Sequence, residues 1–454
     1  MDDRTAALRR AHELAQGFLD GLNDRPVWPR AAYGDMLAAL DTPLPENPTP
    51  AEDVVGELAE QVDDGLVAIP GGRFFGFVNG ATHPAALAAD WLTSTWDQNA
   101  GLASMSPAAA AAETVAGRWL LELLGLPAGS SVGFVTGGMM ANFSCLASAR
   151  HSVLAAAGWD VAEHGLAGAP PVRVVVGEHR HDTIDRAARL LGLGSRSLLT
   201  VPADGQGRIR PDALAETLDG GSGPTIVCLQ AGEVHTGDFD PFTETIPIAR
   251  RHDAWVHVDG AFGLWAAASP ATRHLLAGVA DADSWATDAH KTLNVPYDSG
   301  LAIVRDKADV QAVFGVRADY LIAAVEDPLE RTPEFSRRAR GFPILAVLRS
   351  LGRSGVEELV ARLCARATQM AEGIAPILGA EVLNDVVFTQ VLTAFGDDDT
   401  TRAVGQRLLA DGTAVFTPSV WAGRAVQRCS VSSWATTRED VEKTLTAVRR
   451  AVSA

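Results

Sequence analysis

From Ser131 onward the chain alternates short apolar runs with longer amphipathic ones. The runs "VGFVT", "VRVVV", "SLLTV", "TIVCLQ", "AWVHVD" and "DSWAT" read as strands, separated by helical stretches such as 181–192, 211–219 and 241–252. Strands that alternate with helices at this spacing predict a mostly parallel sheet covered on both faces. After "GLAIVRD" the rhythm changes. Helical stretches at about 339–352 and 354–376 precede "VLNDVVFTQVLTAF", a helix, "TAVFTPSVW", "RAVQRCSVSSW" and a closing helix from Thr436. That order predicts a smaller α+β unit built on an antiparallel sheet.

The N-terminal part has a different pattern. Leu8, Ala11, Ala15, Phe18 and Leu22 recur at helical spacing, which gives an amphipathic helix with charged flanks and not a signal peptide. Further helices are expected up to residue 80, joined by the proline-rich connections "NDRPVWP" and "DTPLPENPTPAED". Such a segment buries little by itself and is expected to drape over a neighbour or another subunit. "SPAAAAAETVAGRWLLELLGLPAG" is one long helix stopped by Gly125 and Pro127. The expected division is therefore 1–80 helical, 81–315 a large α/β domain and 316–454 a small α+β domain.

Composition narrows the function classes. A chain of 454 residues with 47% hydrophobic and 21% charged residues is an ordinary soluble protein of more than one domain. Its net charge of −18 argues against nucleic acid or an anionic membrane as a general partner. No apolar run is long enough to span a bilayer. Cys145, Cys228, Cys364 and Cys429 stand singly in apolar runs with no CxxC pair. Isolated thiols of this kind fit reduced, buried cysteines and a cytoplasmic location.

Three features carry candidate chemistry. "FVTGGMMANFS" ends a strand, places Gly137 and Gly138 in the turn and opens a helix around Met139 and Met140. Free N–H groups at a helix N-terminus, approached closely past glycine, suit a phosphate, although a plain strand–helix turn reads the same way. The stretch lacks a Walker lysine and a GxGxxG pattern, which disfavours a nucleoside triphosphate or a dinucleotide. Asp259 in "AWVHVDGAFG" lies at a strand's C-terminal end, where open α/β sheets place ligands and where helix-capping aspartates are also common. Lys291 in "SWATDAHKTLNVPYDSG" follows the next strand, among apolar neighbours. Burial lowers a lysine's pKa and makes its amine a nucleophile toward carbonyls, whereas a lone loop lysine would simply reach for solvent. A phosphate cradle, a carboxylate and an amine are together what pyridoxal 5′-phosphate requires.

"TDAHK", "HVDGAFG", "RFFGFVNGATHPAALAADWL", "SPAAAAAE", "RRARGFP" and "RCSVSSWATT" together resemble the group II pyridoxal-phosphate-dependent decarboxylases. These are the aromatic-L-amino-acid, tyrosine and glutamate decarboxylase relatives, and the resemblance covers nearly the whole chain. It implies the fold type I transferase-like architecture, with a seven-stranded, mostly parallel sheet in the large domain. It also implies a homodimer with active sites at the interface. Lys291 would form the Schiff base with the cofactor and Asp259 would pair with the pyridine nitrogen. His181 in "EHRHDTIDRAARLLG" would stack on the ring, Ala261 would lie under it, and His179 would face elsewhere. Gly137, Gly138 and Met139 would hold the phosphate, with His290 beside it. Phe77, Val78 and Asn79 would line the substrate pocket. The implied reaction turns an L-amino acid into an amine and CO2. The His179–His181 pair has no further clustered ligands, so no metal is assigned.

The chain also departs from that family. Its decarboxylases return the proton to Cα from a loop tyrosine, and the corresponding stretch "VEDPLERTPEFSRR" at 325–338 has none. The tyrosines are Tyr33, Tyr297 and Tyr320. The alternatives are therefore a decarboxylation-dependent aldehyde synthase or an aldol-type carbon–carbon lyase using the same cofactor. Glu233 and His235 in "AGEVHTG" replace small polar residues and read either as surface loop residues or as substrate contacts. Asp288 stands where the animal enzymes have a neutral residue on the phosphate side.

Overall fold

The structure is a computed structural model and describes residues 3–316 and 327–454. Tyr320 and the first two residues of the 325–338 stretch lie outside the described residues.

Seven strands form the large sheet: β1 (Ser131–Val135), β2 (Arg173–Gly177), β3 (Leu198–Val201), β4 (Thr225–Gln230), β5 (Trp255–Asp259), β6 (Ser284–Asp288) and β7 (Gly300–Val304). Their spatial order is β1-β7-β6-β5-β4-β2-β3. Strands β2 to β6 pair in parallel, and β7 runs antiparallel to both β1 and β6. The reversal has a local cause. Parallel neighbours need a crossover of about a dozen residues or more, usually helical. Residues 289–299 between β6 and β7 contain no helix, so the chain turns straight back, and Lys291 lies in that turn.

Alternation along the strands feeds two cores. Val175, Val227 and Leu229 point to one side of the sheet, with the helix Pro107–Leu124. Val174, Val176, Ile226 and Cys228 point to the other, against Cys145, Leu146 and Ala149 of the helix Gly138–Ala156. With both faces covered, these strands read as unbroken apolar runs in sequence.

The second sheet is antiparallel, in order β10-β11-β9-β8, with β8 (Ala380–Val382), β9 (Gln390–Phe395), β10 (Thr417–Trp421) and β11 (Arg424–Ser430). Within "VLNDVVFTQVLTAF" only Val382 belongs to β8, and Gln390–Phe395 form β9. Asn384 breaks the stretch: its Nδ2 donates to the Thr236 carbonyl at 2.7 Å and its Oδ1 accepts from Leu392 N at 2.9 Å. An asparagine that satisfies backbone groups on both sides of itself fixes a turn. The two expected helices around 339–376 are present: the stretch Gly341–Ile374 is divided at Gly352, whose backbone is not helical (φ 61°, ψ −177°). Its first part packs on the large core through Ile344 and Val347, and its last part joins Leu359, Leu363 and Met370 to the small one.

The N-terminal helices Asp3–Asp20 and Tyr33–Leu40 bury no residue, and Ala51–Val62 buries only Gly56. The segment 327–338 lies against residues 99–103. Asp327 Oδ1 accepts from Ala103 N at 2.7 Å, and Leu329 N donates to the Gly101 carbonyl at 3.0 Å. Arg337 makes a two-pronged pair with Glu113, at 2.6 and 2.7 Å, with both side chains almost wholly buried. Arg337→Ala would leave Glu113 as an uncompensated buried charge, so chemical denaturation should show a loss of about 3–5 kcal/mol. A loss below about 1 kcal/mol would mean that water reaches Glu113.

Candidate active site

The C-terminal ends of β5 and β6 set the geometry. The two strands pair in parallel with Asp259 opposite Ala286, so Asp259 and the turn carrying Lys291 leave the sheet side by side. Between β1 and the helix Gly138–Ala156, the Gly137–Gly138 turn faces the same point. A Cβ on Gly138 would lie 2.9 Å from Asp288 Oδ2, and one on Gly137 would lie 3.1 Å from His290 Cε1. The glycines are needed there because two other side chains already fill the space. Met139 follows in the first turn of that helix.

Asp259 is buried, and its Oδ2 accepts from Asn142 Nδ2 at 2.9 Å. The same Nδ2 donates to Thr183 Oγ1 at 3.1 Å, and Thr183 Oγ1 lies 3.0 Å from His181 Nδ1. The sequence-expected pair Asp259 and His181 is therefore connected through Asn142 and Thr183. Asn142 Oδ1 is 2.9 Å from His257 Nε2, whose Nδ1 is 2.9 Å from Ser284 Oγ. With the Asn142 amide nitrogen committed to Asp259, its oxygen must accept, so His257 carries its proton on Nε2. Complete burial pushes the His257 pKa down to about 4, which keeps the imidazole neutral. Ala261 follows Asp259, donating its N–H to Asp259 Oδ1 at 3.2 Å and accepting from Asp288 N at 2.9 Å. His181 caps the helix Asp182–Leu190 and remains exposed.

Lys291 is four-fifths buried, with Nζ 3.0 Å from Asp288 Oδ2. The turn around it is pinned by Asn294 (φ 58°), a residue absent from the sequence reading. Its Oδ1 accepts from Ala81 N at 2.7 Å and Trp434 N at 2.9 Å, while its Nδ2 donates to the Ser432 carbonyl at 3.0 Å. One side chain thus ties the lysine turn to the N-terminal and C-terminal segments. A Cβ on Gly80 would overlap the Lys291 carbonyl oxygen, so only glycine fits where these backbones meet.

Phe77 and Val78 take φ of 54° and 58°. A β-branched residue in this region is strained, and strain of this kind gathers where a loop must hold a set shape. Phe77 N donates to Thr417 Oγ1 at 2.8 Å, and Asn79 Oδ1 accepts from the Tyr297 hydroxyl at 2.8 Å. The Tyr297 ring lies on His290, with centroids 4.3 Å apart; although the residue as a whole is half exposed, desolvation of its hydroxyl end raises the phenol pKa to about 12.

Glu233 is not a surface residue, which corrects one of the two readings of "AGEVHTG". It is buried and accepts from the His235 and Thr236 amides, each at 2.7 Å. Its Oε1 also lies 2.8 Å from His235 Nδ1, while His235 Nε2 reaches Ser419 Oγ on β10 at 2.9 Å. His179 stacks on Trp421 at 4.4 Å, away from the Asp259 network. Both ring nitrogens of His235 are taken up within the protein, so this pair joins the large and small domains.

Residues 34–395 match the model of the pyridoxal-dependent decarboxylase conserved domain. The chain belongs to this family. Among its relatives are the tryptophan decarboxylase 1 of Oryza sativa, 27% identical with 95% of this chain and 90% of the relative covered, and the L-2,4-diaminobutyrate decarboxylase of Rhizobium meliloti, 29% identical with 91% and 84% covered. The acidic amino acid decarboxylase GADL1 of Mus musculus is 28% identical over 70% of this chain, and the match spans 59% of that relative's length. Among solved structures, Oryza sativa TDC with PLP and tryptamine superposes with a TM-score of 0.93 at 24% identity, over 100% of this chain and 98% of that one. Rhodiola rosea 4-hydroxyphenylacetaldehyde synthase does so with a TM-score of 0.89 at 22% identity, over 100% and 98%. At these identities the structural likeness is one of fold, which is the fold type I architecture expected from the sequence.

The residues present suit the pyridoxal 5′-phosphate after which the family is named. A glycine turn opens a long helix that has no side-chain cap, a buried carboxylate stands at a nearby strand end, and a mostly buried amine lies 3.0 Å from Asp288, which packs on that turn. This decarboxylase-family chain carries one feature at odds with a simple anion cradle. Asp288 packs onto the glycine turn with its side chain 3% exposed, and its Oδ1 has no hydrogen-bond partner among the described residues.

Proposed function

We propose that the protein removes CO2 from an L-amino acid to leave the amine. The supporting observation is the placement of Lys291 and Asp259 at adjoining strand ends around one glycine-lined helix N-terminus. When bound, the cofactor supplies a conjugated sink for the electron pair left on Cα as CO2 departs. Lys291 would hold it through the ε-amine. Asp259, fixed by Asn142 and the Ala261 amide, would keep a proton on the ring nitrogen. His181 and Ala261 would hold the ring, and Gly137, Gly138 and Met139, with His290, would hold the phosphate. Phe77, Val78 and Asn79 form the substrate wall, closed by Tyr297. His235 keeps a substrate-facing role only through the wall it braces at Ser419.

A second reading rests on the loop 327–338, whose described residues include no tyrosine to return a proton to Cα. Oxygen would then take the electrons, giving CO2, aldehyde, ammonia and hydrogen peroxide. Incubating the cofactor-loaded protein with a panel of L-amino acids and trapping CO2 tests the first reading. Amine in equal amount to CO2 is expected. Aldehyde and peroxide in its place would establish the second reading, and turnover without CO2 would overturn both.

The proposed assembly is a homodimer. Helices without a single buried residue, together with Phe77 and Tyr297 each 54% exposed beside the site, fit a surface completed by a second copy. The domain division at 80/81 and 315/316 belongs to the same proposal, as does a cytoplasmic location. The four cysteines are free thiols, three of them buried, which suits a reducing compartment, and no helix among the described residues is long and apolar enough to cross a membrane.

A further inference from the structure

We propose that Asp288 shares a proton with the phosphate of the bound cofactor, so that the cofactor is taken up together with about one proton. The proposal rests on the phosphate placement given above.

Its basis is a conflict of charge at the Gly137–Gly138 turn. The first amides of the helix Gly138–Ala156 favour an anion, yet a carboxylate already packs against them. Asp288 Oδ2 is balanced by the Lys291 amine at 3.0 Å. Oδ1, buried and without a hydrogen bond among the described residues, has only His290 Nε2 near it, at 3.5 Å. Once Lys291 is tied to the cofactor, the ammonium that neutralised Asp288 is given up. A phosphate monoester brings a charge of about −1.5 to −2 at neutral pH into the same space. Two anions at one helix end cannot both stay fully ionised at close range, as with paired carboxylates.

The groups facing Asp288 are few. Lys291 is used by the cofactor. His290 accepts from Ser299 N through Nδ1 at 3.2 Å, so its one proton sits on Nε2, and burial lowers its pKa. The Tyr297 phenol keeps its proton, and Asp298, the next carboxylate along, is paired with Arg340 at 2.8 Å. The glycine turn contributes no titrating side chain. With no spare cation present, a proton from solvent must supply the missing positive charge. It bridges the unpartnered Oδ1 and a phosphate oxygen, as a short charge-assisted hydrogen bond.

Two probes that need no Schiff base isolate this contact: pyridoxamine 5′-phosphate and pyridoxamine, bound to full-length Lys291→Ala protein, which lacks the ammonium beside Asp288. The ratio of their dissociation constants cancels the ring-nitrogen proton held by Asp259, which both probes share. With Asp288 in place, the advantage of the phosphorylated probe should fall about tenfold per pH unit between pH 7 and 8.5 and level off below about pH 6, where free phosphate already holds its proton. When Asp288→Asn is added to Lys291→Ala, the advantage should be nearly flat across the same range and larger at pH 8 than with Asp288 in place. A flat ratio with Asp288 in place, or weaker binding of the phosphorylated probe when Asp288→Asn is added at every pH, would overturn the proposal. If either variant does not fold, calorimetry of the wild type at pH 8 in two buffers of different ionisation enthalpy reads proton uptake directly, and zero uptake overturns it. Failure of both probes to bind at any pH would instead overturn the cofactor reading on which the proposal stands.

Discussion

Lys291→Ala is expected to abolish turnover, by at least about 10³-fold, because in the proposed mechanism this residue is the covalent anchor of the cofactor. The chain makes the test clean. It contains only three lysines, Lys291, Lys307 and Lys443. Lys443 lies on the C-terminal helix in an exposed pair with Glu439, and Lys307 opens the helix Lys307–Phe314. Borohydride reduction of the cofactor-loaded wild type should therefore mark the Lys291 peptide alone, and the visible absorbance of the bound cofactor should vanish with it. The variant should fold, since its Nζ partners only Asp288, which the empty helix N-terminus continues to stabilise. Retention of a tenth of the activity, or a mark on another lysine, would remove Lys291 from the mechanism.

Asp259→Asn should fold and bind the cofactor while losing on the order of 10²–10³-fold in kcat, the usual penalty for removing one preorganised charge from the place where charge develops. The substitution keeps the shape of the side chain. It removes the negative charge that, in the proposed mechanism, would hold a proton on the ring nitrogen, and without that proton the ring would withdraw electrons poorly. It also disturbs the local network, because Asn142 Nδ2 donates to Asp259 and to Thr183, and a second amide presents it with either an oxygen or a competing donor. The expected signature is a fall in kcat with KM nearly unchanged, together with a lower pH optimum as the ring nitrogen comes to depend on solvent protons. A loss smaller than about tenfold would show that Asp259 orients the ring and does not tune it.

Much of this architecture is legible from local pattern alone. The strands of the large sheet are short, apolar and evenly interrupted, because burial on both faces leaves no polar alternation to confuse them. Asp259 and Lys291 could be singled out because one ends a strand and the other follows one, and strand ends in such sheets are where ligands collect. The glycines of "TGG" were equally visible. Other parts were hidden for physical reasons. "VLNDVVFTQVLTAF" looks continuous because Val387 and Phe388 are apolar, but they serve the core from a turn held by Asn384. Glu233 has the composition of a loop residue, and only the backbone amides folded around it explain its burial.

By itself, then, the sequence determined the order of elements, the fold class, the family and the residue types the chemistry needs. These depend on periodicity and on short motifs, which are local. The tertiary structure alone decided that Asn142 and Thr183 join Asp259 to His181, that Asn294 binds three distant segments around the lysine turn, and that Asp288 occupies the cradle expected for phosphate. Those relations depend on side chains far apart in the chain meeting in a low-dielectric interior, where an unpaired charge or a single hydrogen bond is strong enough to direct chemistry.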